Sequence, residues 1–146
     1  MKILNGKELA EFIQERQAKD VRRLVQANGV QPKLAIVVTV DHPAIEVYMR
    51  MKQRYGNEIG IHVDVHRVKQ AGVKATIEAL NADATVHGVI VQLPLEDPTQ
   101  TDSVVDLVAP EKDVDALGTN AIYQPATPMA ILWLLAGYNV ELRGKN

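Results

Sequence analysis

No cysteine occurs in the 146-residue chain. A disulfide framework, a thiol nucleophile and a zinc-thiolate cluster are therefore excluded, and the expected setting is a reducing one, which we read as the cytoplasm. Large aromatics are scarce, with one Trp and one Phe, so aliphatic side chains must build the core. A basic excess is missing too: 16 Lys+Arg stand against 18 Asp+Glu, a net charge of −2. Without it, counterion release cannot supply affinity for a phosphate backbone, and no nucleic-acid partner is expected. No apolar run approaches the ~18 residues of a membrane span, and Met1 to Lys7 carries no apolar signal core. No membrane partner is expected either. Gly-x-Gly-x-x-Gly and Walker sequences are both absent, and with them the usual phosphate cradle.

What is present is a 47% hydrophobic chain of one-domain length, enough for a sizeable core. Two β-branched runs, Leu34–Val40 and Gly88–Leu93, read as strands buried on both faces of a parallel sheet. Between them Ile61–Val68 alternates with period two, the pattern of a strand with one wet face at or near an edge. Helical spacing covers Glu8–Ala27, Pro43–Glu58, Lys74–Ala82, Asp102–Val108 and Met129–Ala136. In the first of these, Leu9, Phe12, Ile13, Val21, Leu24 and Val25 form the apolar set. The tail from Tyr138 to Asn146 turns polar and reads as neither helix nor strand. Strands alternating with helices predict an α/β domain, a three-layer α/β/α arrangement with a mainly parallel sheet and no internal boundary. In such sheets ligands bind beyond the carboxyl ends of the strands, here just after Val40, Val68 and Val91.

Three segments there carry chemistry. Tyr48 and Lys52 are four residues apart on a helix, so phenol and ammonium share a face. A Lys beside an aromatic ring in a partly dry cleft can lose its proton more readily and act in proton transfer; the same spacing also suits a solvated face with a snorkelling Lys. Gln92 closes the last strand run, with Pro94 preventing further ladder pairing. Its amide can hold an ammonium or a ligand there, or simply complete a turn. Lys112-Asp-Val-Asp115 places two carboxylates before a loop, suited to a donor-rich ring edge or to a solvated Asp turn. His62, Asp64 and His66 share one strand face and have zinc-ligand spacing, but their wet face disfavours a metal, and none is expected. His42 and His87 fall in turns, where surface histidines are usual.

In order, these segments resemble the N-terminal catalytic domain of the bifunctional methylenetetrahydrofolate dehydrogenase/methenyltetrahydrofolate cyclohydrolase family. The similarity runs through Asn5-Gly-Lys7, Leu34–Val40, the Tyr48/Lys52 pair, Leu80-Asn-Ala-Asp83, His87-Gly-Val-Ile-Val-Gln-Leu-Pro-Leu95, Pro110-Glu-Lys-Asp-Val-Asp115 and Ala126-Thr-Pro128. It implies Lys52 and Gln92 as catalytic residues, the amide orienting the amine. It also implies that Tyr48 stacks on the folate rings, that Asp115 anchors the pterin edge, and that Leu93 and Pro94 belong to the substrate site. The implied substrates are tetrahydrofolate derivatives, with NADP or NAD as cofactor of the full enzyme and a homodimer as a possible assembly.

By the same resemblance residues 1–146 are the catalytic domain, and the dinucleotide-binding domain that follows a Gly-Lys-Asn-like segment in the family is absent from this chain. Two departures stand out. Ile45 replaces a Ser usual three residues before the Tyr, and the loop from Asp115 to Pro125 is shorter by about ten residues, which changes a pocket's walls more than its floor. The rival reading is a folate-binding or interaction module that has kept the scaffold without catalysis.

Overall fold

A computed structural model describes residues 3–144. Its first helix, α1 (Gly6–Asn28), starts where Asn5 accepts the backbone N–H groups of Lys7 and Glu8. It stops at Gly29, whose left-handed backbone (φ 66°) lets its N–H reach Val25 O. Strand β1 (Lys33–Val38) follows, then α2 (Pro43–Ile59), capped by the His42 side chain and opened by Pro43. After β2 (His62–Arg67) and a short 3-10 turn come α3 (Val73–Ala82) and β3 (Gly88–Gln92). A one-turn α4 (Thr101–Val105) and α5 (Ala126–Gly137) complete the described elements. The described part of the tail holds neither helix nor strand, while Lys145 and Asn146 lie outside the described residues.

The three strands pair in parallel in the order β2-β1-β3. Leu34 lies opposite both Val63 and Gly88, and Val38 opposite both Arg67 and Gln92. Two apolar clusters flank the sheet. Ala35, Val37, Val89 and Val91 pack with Val73, Ile77 and Leu80 of α3 and with Val104 and Val105 of α4. On the other face Ile36, Val38 and Val63 pack with Ile45 and Met49 of α2. α1 lies outside α2, and α5 lies against α1. The layers are thus α3 with α4, the sheet, then α2 backed by α1, as the alternation of strands and helices predicts.

Three local expectations change. β3 is an edge strand with one dry face: Val89 and Val91 are buried, but Ile90 is only partly so. Phe12 and Leu24 of α1 are exposed, because α1 is an outer layer whose contact side is the i, i+4 row Leu9, Ile13, Gln17, Val21, Val25. Ile45, the residue in place of the family's Ser, turns into the core rather than toward the strand ends.

The segment beyond α4 is clamped to the end of α3. Asn81 donates its amide N–H to Leu107 O (2.8 Å) and accepts the Ala109 N–H (3.0 Å). Lys112 Nζ donates to the carbonyl oxygens of Leu80, Asn81 and Asp83, at 2.9, 2.8 and 2.8 Å, meeting orphan acceptors at the helix C-terminus. So anchored, the chain runs beside β3, with Val89 N–H donating to Lys112 O (2.7 Å) and Val89 bridged to Asp113. Asn81→Ala removes both amide contacts and should cost about 2 kcal/mol in chemical denaturation, with about 1 kcal/mol for each net hydrogen bond. An unchanged denaturation midpoint would show that water replaces the clamp.

Candidate functional site

The strand order places a switch point between β1 and β3: the chain leaves β1 toward β2 on one side and returns to pair β3 on the other. At such a point the loops diverge and leave a crevice outside the carboxyl ends of the strands. α2 enters this region from β1, and Gln92 ends β3 opposite Val38. Lys52 and Gln92, 40 residues apart, meet there: Lys52 Nζ donates to Gln92 Oε1 at 3.0 Å. Gln92 is locked in this orientation because its Nε2 donates to Leu93 O at 2.9 Å, leaving the amide oxygen for the lysine. The Leu93–Pro94 peptide that follows is cis. The loop returns to β1 through Glu96 N–H donating to Thr39 Oγ1 at 2.8 Å.

Lys52 is half-buried on α2, and burial holds its ammonium below the ordinary lysine range. The Asp115 carboxylate acts in the opposite direction and partly restores the proton affinity. Tyr48, one turn earlier, is 57% exposed, so its ring face is open to a ligand. A cavity of about 820 Å³ opens beside these groups, with walls formed by Tyr48, Met51, Lys52 and Tyr55 of α2, Leu34 and Ile90 of the sheet, and Ala126 at the start of α5. Its lining is mainly apolar, with the lysine as a polar group at the wall, the usual build of a small-molecule site.

Of the residues singled out in the sequence, the structure brings Tyr48, Lys52 and Gln92 together and sets Asp115 where its charge reaches Lys52. Leu93 packs partly against the α3-side core, and Pro94 is exposed on the following turn; neither lines the cavity. Ile90, Tyr55 and Gln17, which do line it, escaped the sequence reading. Tyr55 had a signal, since it continues the face of Tyr48 and Lys52, whereas Ile90 has none, because an apolar strand position carries no mark of a face that is only partly covered. Tyr55 donates its hydroxyl to Gln17 Oε1 at 2.6 Å, tying α2 to α1 at the far end of the cavity.

The histidines go elsewhere. His62 pairs with Asp64 at 2.8 Å, and among the described residues no group of three His, Cys, Asp or Glu side chains is placed to hold a metal. His42 caps α2, and His87 Nδ1 accepts the Lys33 N–H at 3.2 Å. A second hollow of about 530 Å³ lies at the ends of β1 and β2, with Asp41, Glu46, Arg67 and Lys69 in its walls. Arg67 there is engaged by Glu46, Nη2 to Oε2 at 2.9 Å. Arg67 and Glu46 therefore neutralise each other in that hollow.

Residues 4–115 match the family model of the tetrahydrofolate dehydrogenase/cyclohydrolase catalytic domain. The chain is 37% identical over 157 aligned positions to the Bifunctional protein FolD of Moorella thermoacetica, covering 98% of this chain and 55% of that protein. It is 36% identical to the protein of the same name from Streptococcus pyogenes, covering 99% of this chain and 55% of the relative. The crystal structure of the bifunctional methylenetetrahydrofolate dehydrogenase/cyclohydrolase FolD from Campylobacter jejuni superposes with a TM-score of 0.92 at 30% identity, over 99% of this chain and 56% of that one. The chain thus spans about half the length of the relatives it matches. With the model covering most of its length, this α/β chain belongs to the tetrahydrofolate dehydrogenase/cyclohydrolase family, through that family's catalytic domain.

Proposed function

We propose that residues 1–146 form the folate-binding, catalytic half of an enzyme that hydrolyses 5,10-methenyltetrahydrofolate to 10-formyltetrahydrofolate and oxidises 5,10-methylenetetrahydrofolate with NADP or NAD. One observation carries this reading: a half-buried lysine, held by an amide whose other end is fixed, at the wall of an apolar cavity beside an open tyrosine ring. Tyr48 stacks on the folate rings, and Asp115 accepts hydrogen bonds from the donor-rich pterin edge. Leu93 and Pro94, directly after Gln92, belong to the substrate's surroundings rather than to the cavity wall.

In the hydrolytic step the substrate is an amidinium cation. A permanently charged Lys52 would repel it, and burial favours the neutral amine. As the oxygen of a water molecule bonds to the methenyl carbon, the amine takes the water's proton. Collapse of the adduct then forms the formyl C=O and breaks one C–N bond: the departing nitrogen takes the proton held by the amine, and the adduct hydroxyl returns its own proton to the amine, which releases it to solvent. Gln92 aims the lysine lone pair by accepting one of its N–H bonds.

For the oxidation, the β1–α2 turn does not fit a dinucleotide. β1 passes to α2 through Thr39-Val-Asp-His42 without a glycine, and Asp41 would repel a pyrophosphate. No hydride step is therefore routed through this turn. The proposal extends to a cytoplasmic location and to a homodimer. No helix among the described residues is long and apolar enough to cross a membrane, and Ile131, Leu132 and Trp133 of α5 are about half exposed, apolar surface that a second subunit would cover.

The test is ligand-induced stabilisation. At a concentration about 100 times its Kd, 5,10-methenyltetrahydrofolate should stabilise the chain by about 2.7 kcal/mol, a rise of several degrees in Tm. Asp115→Ala should remove most of that rise without lowering the Tm of the free protein. A Tm indifferent to the folate in the unsubstituted chain would rule the reading out.

A further inference from the structure

Asp113 and Asp115 are two residues apart, yet the fold treats them oppositely. Asp113 is 4% exposed, the sole charged side chain in the buried set of described residues, whereas Asp115 is only partly buried. Burying a carboxylate is costly unless its oxygens are well satisfied. Both oxygens of Asp113 are turned onto the loop that follows it. Oδ2 accepts the Gly118 N–H at 2.8 Å and Oδ1 the Leu117 N–H at 3.4 Å, while its own carbonyl accepts the Ala116 N–H at 3.3 Å. Within this turn Ala116 adopts a left-handed backbone (φ 54°), a conformation that a non-glycine residue keeps only when its surroundings hold it. Asp115 rides on the turn between these contacts. The turn's base is fixed in turn by the Val89–Asp113 bridge and by Lys112 on the end of α3.

We propose that Asp113 is a positioning residue: its buried carboxylate ties the turn 113–118 and so holds the Asp115 carboxylate at a set place relative to Lys52. This rests on the assignment of Lys52 and Asp115 to the site. Asp113 acts through the turn, not by its own charge. The influences on Lys52 are burial and Asp115, and Asp113 is not among them. Among the described residues that line the cavity with Lys52, the other titratable or charged groups lie along α2: Tyr48 and Tyr55, with Arg54 and Glu58 paired to each other at 2.8 Å.

The experiment is a double-mutant cycle read on the folded chain by the ¹³Cε resonance of Lys52 as a function of pH, assigned with Lys52→Met. Asp115→Asn should lower the Lys52 titration midpoint. Asp113→Asn should lower it in the otherwise unsubstituted chain and lower it no further once Asp115→Asn is present. A role confined to stability would leave the midpoint of the folded state unmoved. The proposal is overturned by a midpoint unchanged in Asp113→Asn, or by equal shifts in both backgrounds.

Should Asp113→Asn fail to fold, Gly118→Ala takes its place in the cycle. An added Cβ there meets Asp113 Oδ2 at 3.1 Å and disturbs the turn with every charge retained. The same outcomes then decide. A chain that binds no folate would end the functional reading and still leave this cycle legible, so the two failures are distinct.

Discussion

Lys52→Met should cut cyclohydrolase turnover of the gene product that carries this chain by about 10²–10⁴-fold, the range supplied by a positioned general base, and raise its melting temperature. The two effects share one cause. Methionine keeps the length and apolar character of the lysine stem but brings no charge into the half-buried wall. Because the folded-state pKa lies below the unfolded one, the unfolded chain binds the proton more tightly. The stability cost of the ammonium is therefore full at pH values below the folded-state pKa. It fades as pH rises from there toward the ordinary lysine value.

The gain in Tm from Lys52→Met should accordingly be largest at neutral and acid pH and shrink in alkaline buffer. Turnover of the unsubstituted enzyme should climb with pH and level off earlier than for an ordinary lysine. Asp115→Asn should move that limb to still lower pH, since Asp115 is what partly restores the proton affinity. If the enzyme and its Lys52→Met variant both run at the uncatalysed rate, the chain is a folate-binding module and no longer a catalyst.

Gly56→Ala is expected to damage both stability and turnover, although Gly56 touches no proposed substrate atom. The glycine sits one turn after Lys52, where α2 lies closest to β2. A Cβ added there would overlap Val63 Cγ2 and come within 3.0 Å of the Ile61 carbonyl oxygen, which is backbone and cannot swing away. Helix and strand must separate, at a cost of about 1–3 kcal/mol, the usual range for overpacking. The same separation carries Lys52 away from Gln92. Thermal unfolding and kcat should both fall, and adding Val63→Ala should recover part of each by removing the nearer clash. Full activity at reduced Tm would mean that α2 shifts along its axis without moving the amine.

The hydrophobic row of α2 shows how far local pattern reaches. Helical spacing over Pro43–Glu58 set its bounds to within a residue, whereas the burial of Ile45, Met49 and Ile59 came only with the fold. The helix starts read at Glu8 and Pro43 fall within two residues of those observed, Pro43 being the local signal for the second, while the caps Asn5 and His42 emerge only in the structure. The edge position of β2 was also legible, because a wet face leaves its period-two signature. Phe12 and Ile90 were not: one belongs to an outer helix, the other to a strand face that α2 covers only in part. Whether an apolar side chain meets a partner depends on segments far along the chain.

By itself, then, the order of apolar runs, caps and turn residues determined an α/β domain, its strands and helices, and the short set of side chains able to do chemistry. Those features follow from interactions over a few residues, which periodicity records directly. Only the tertiary structure decided that β3 pairs with β1 rather than β2, and that pairing brings Gln92 to Lys52 across 40 residues. It alone also separated Asp113 from Asp115, one buried to hold a turn and one left facing the lysine. Register and burial come from long-range packing, so two carboxylates that look alike in sequence are placed in different environments by the strand and helix ends between which their loop is pinned.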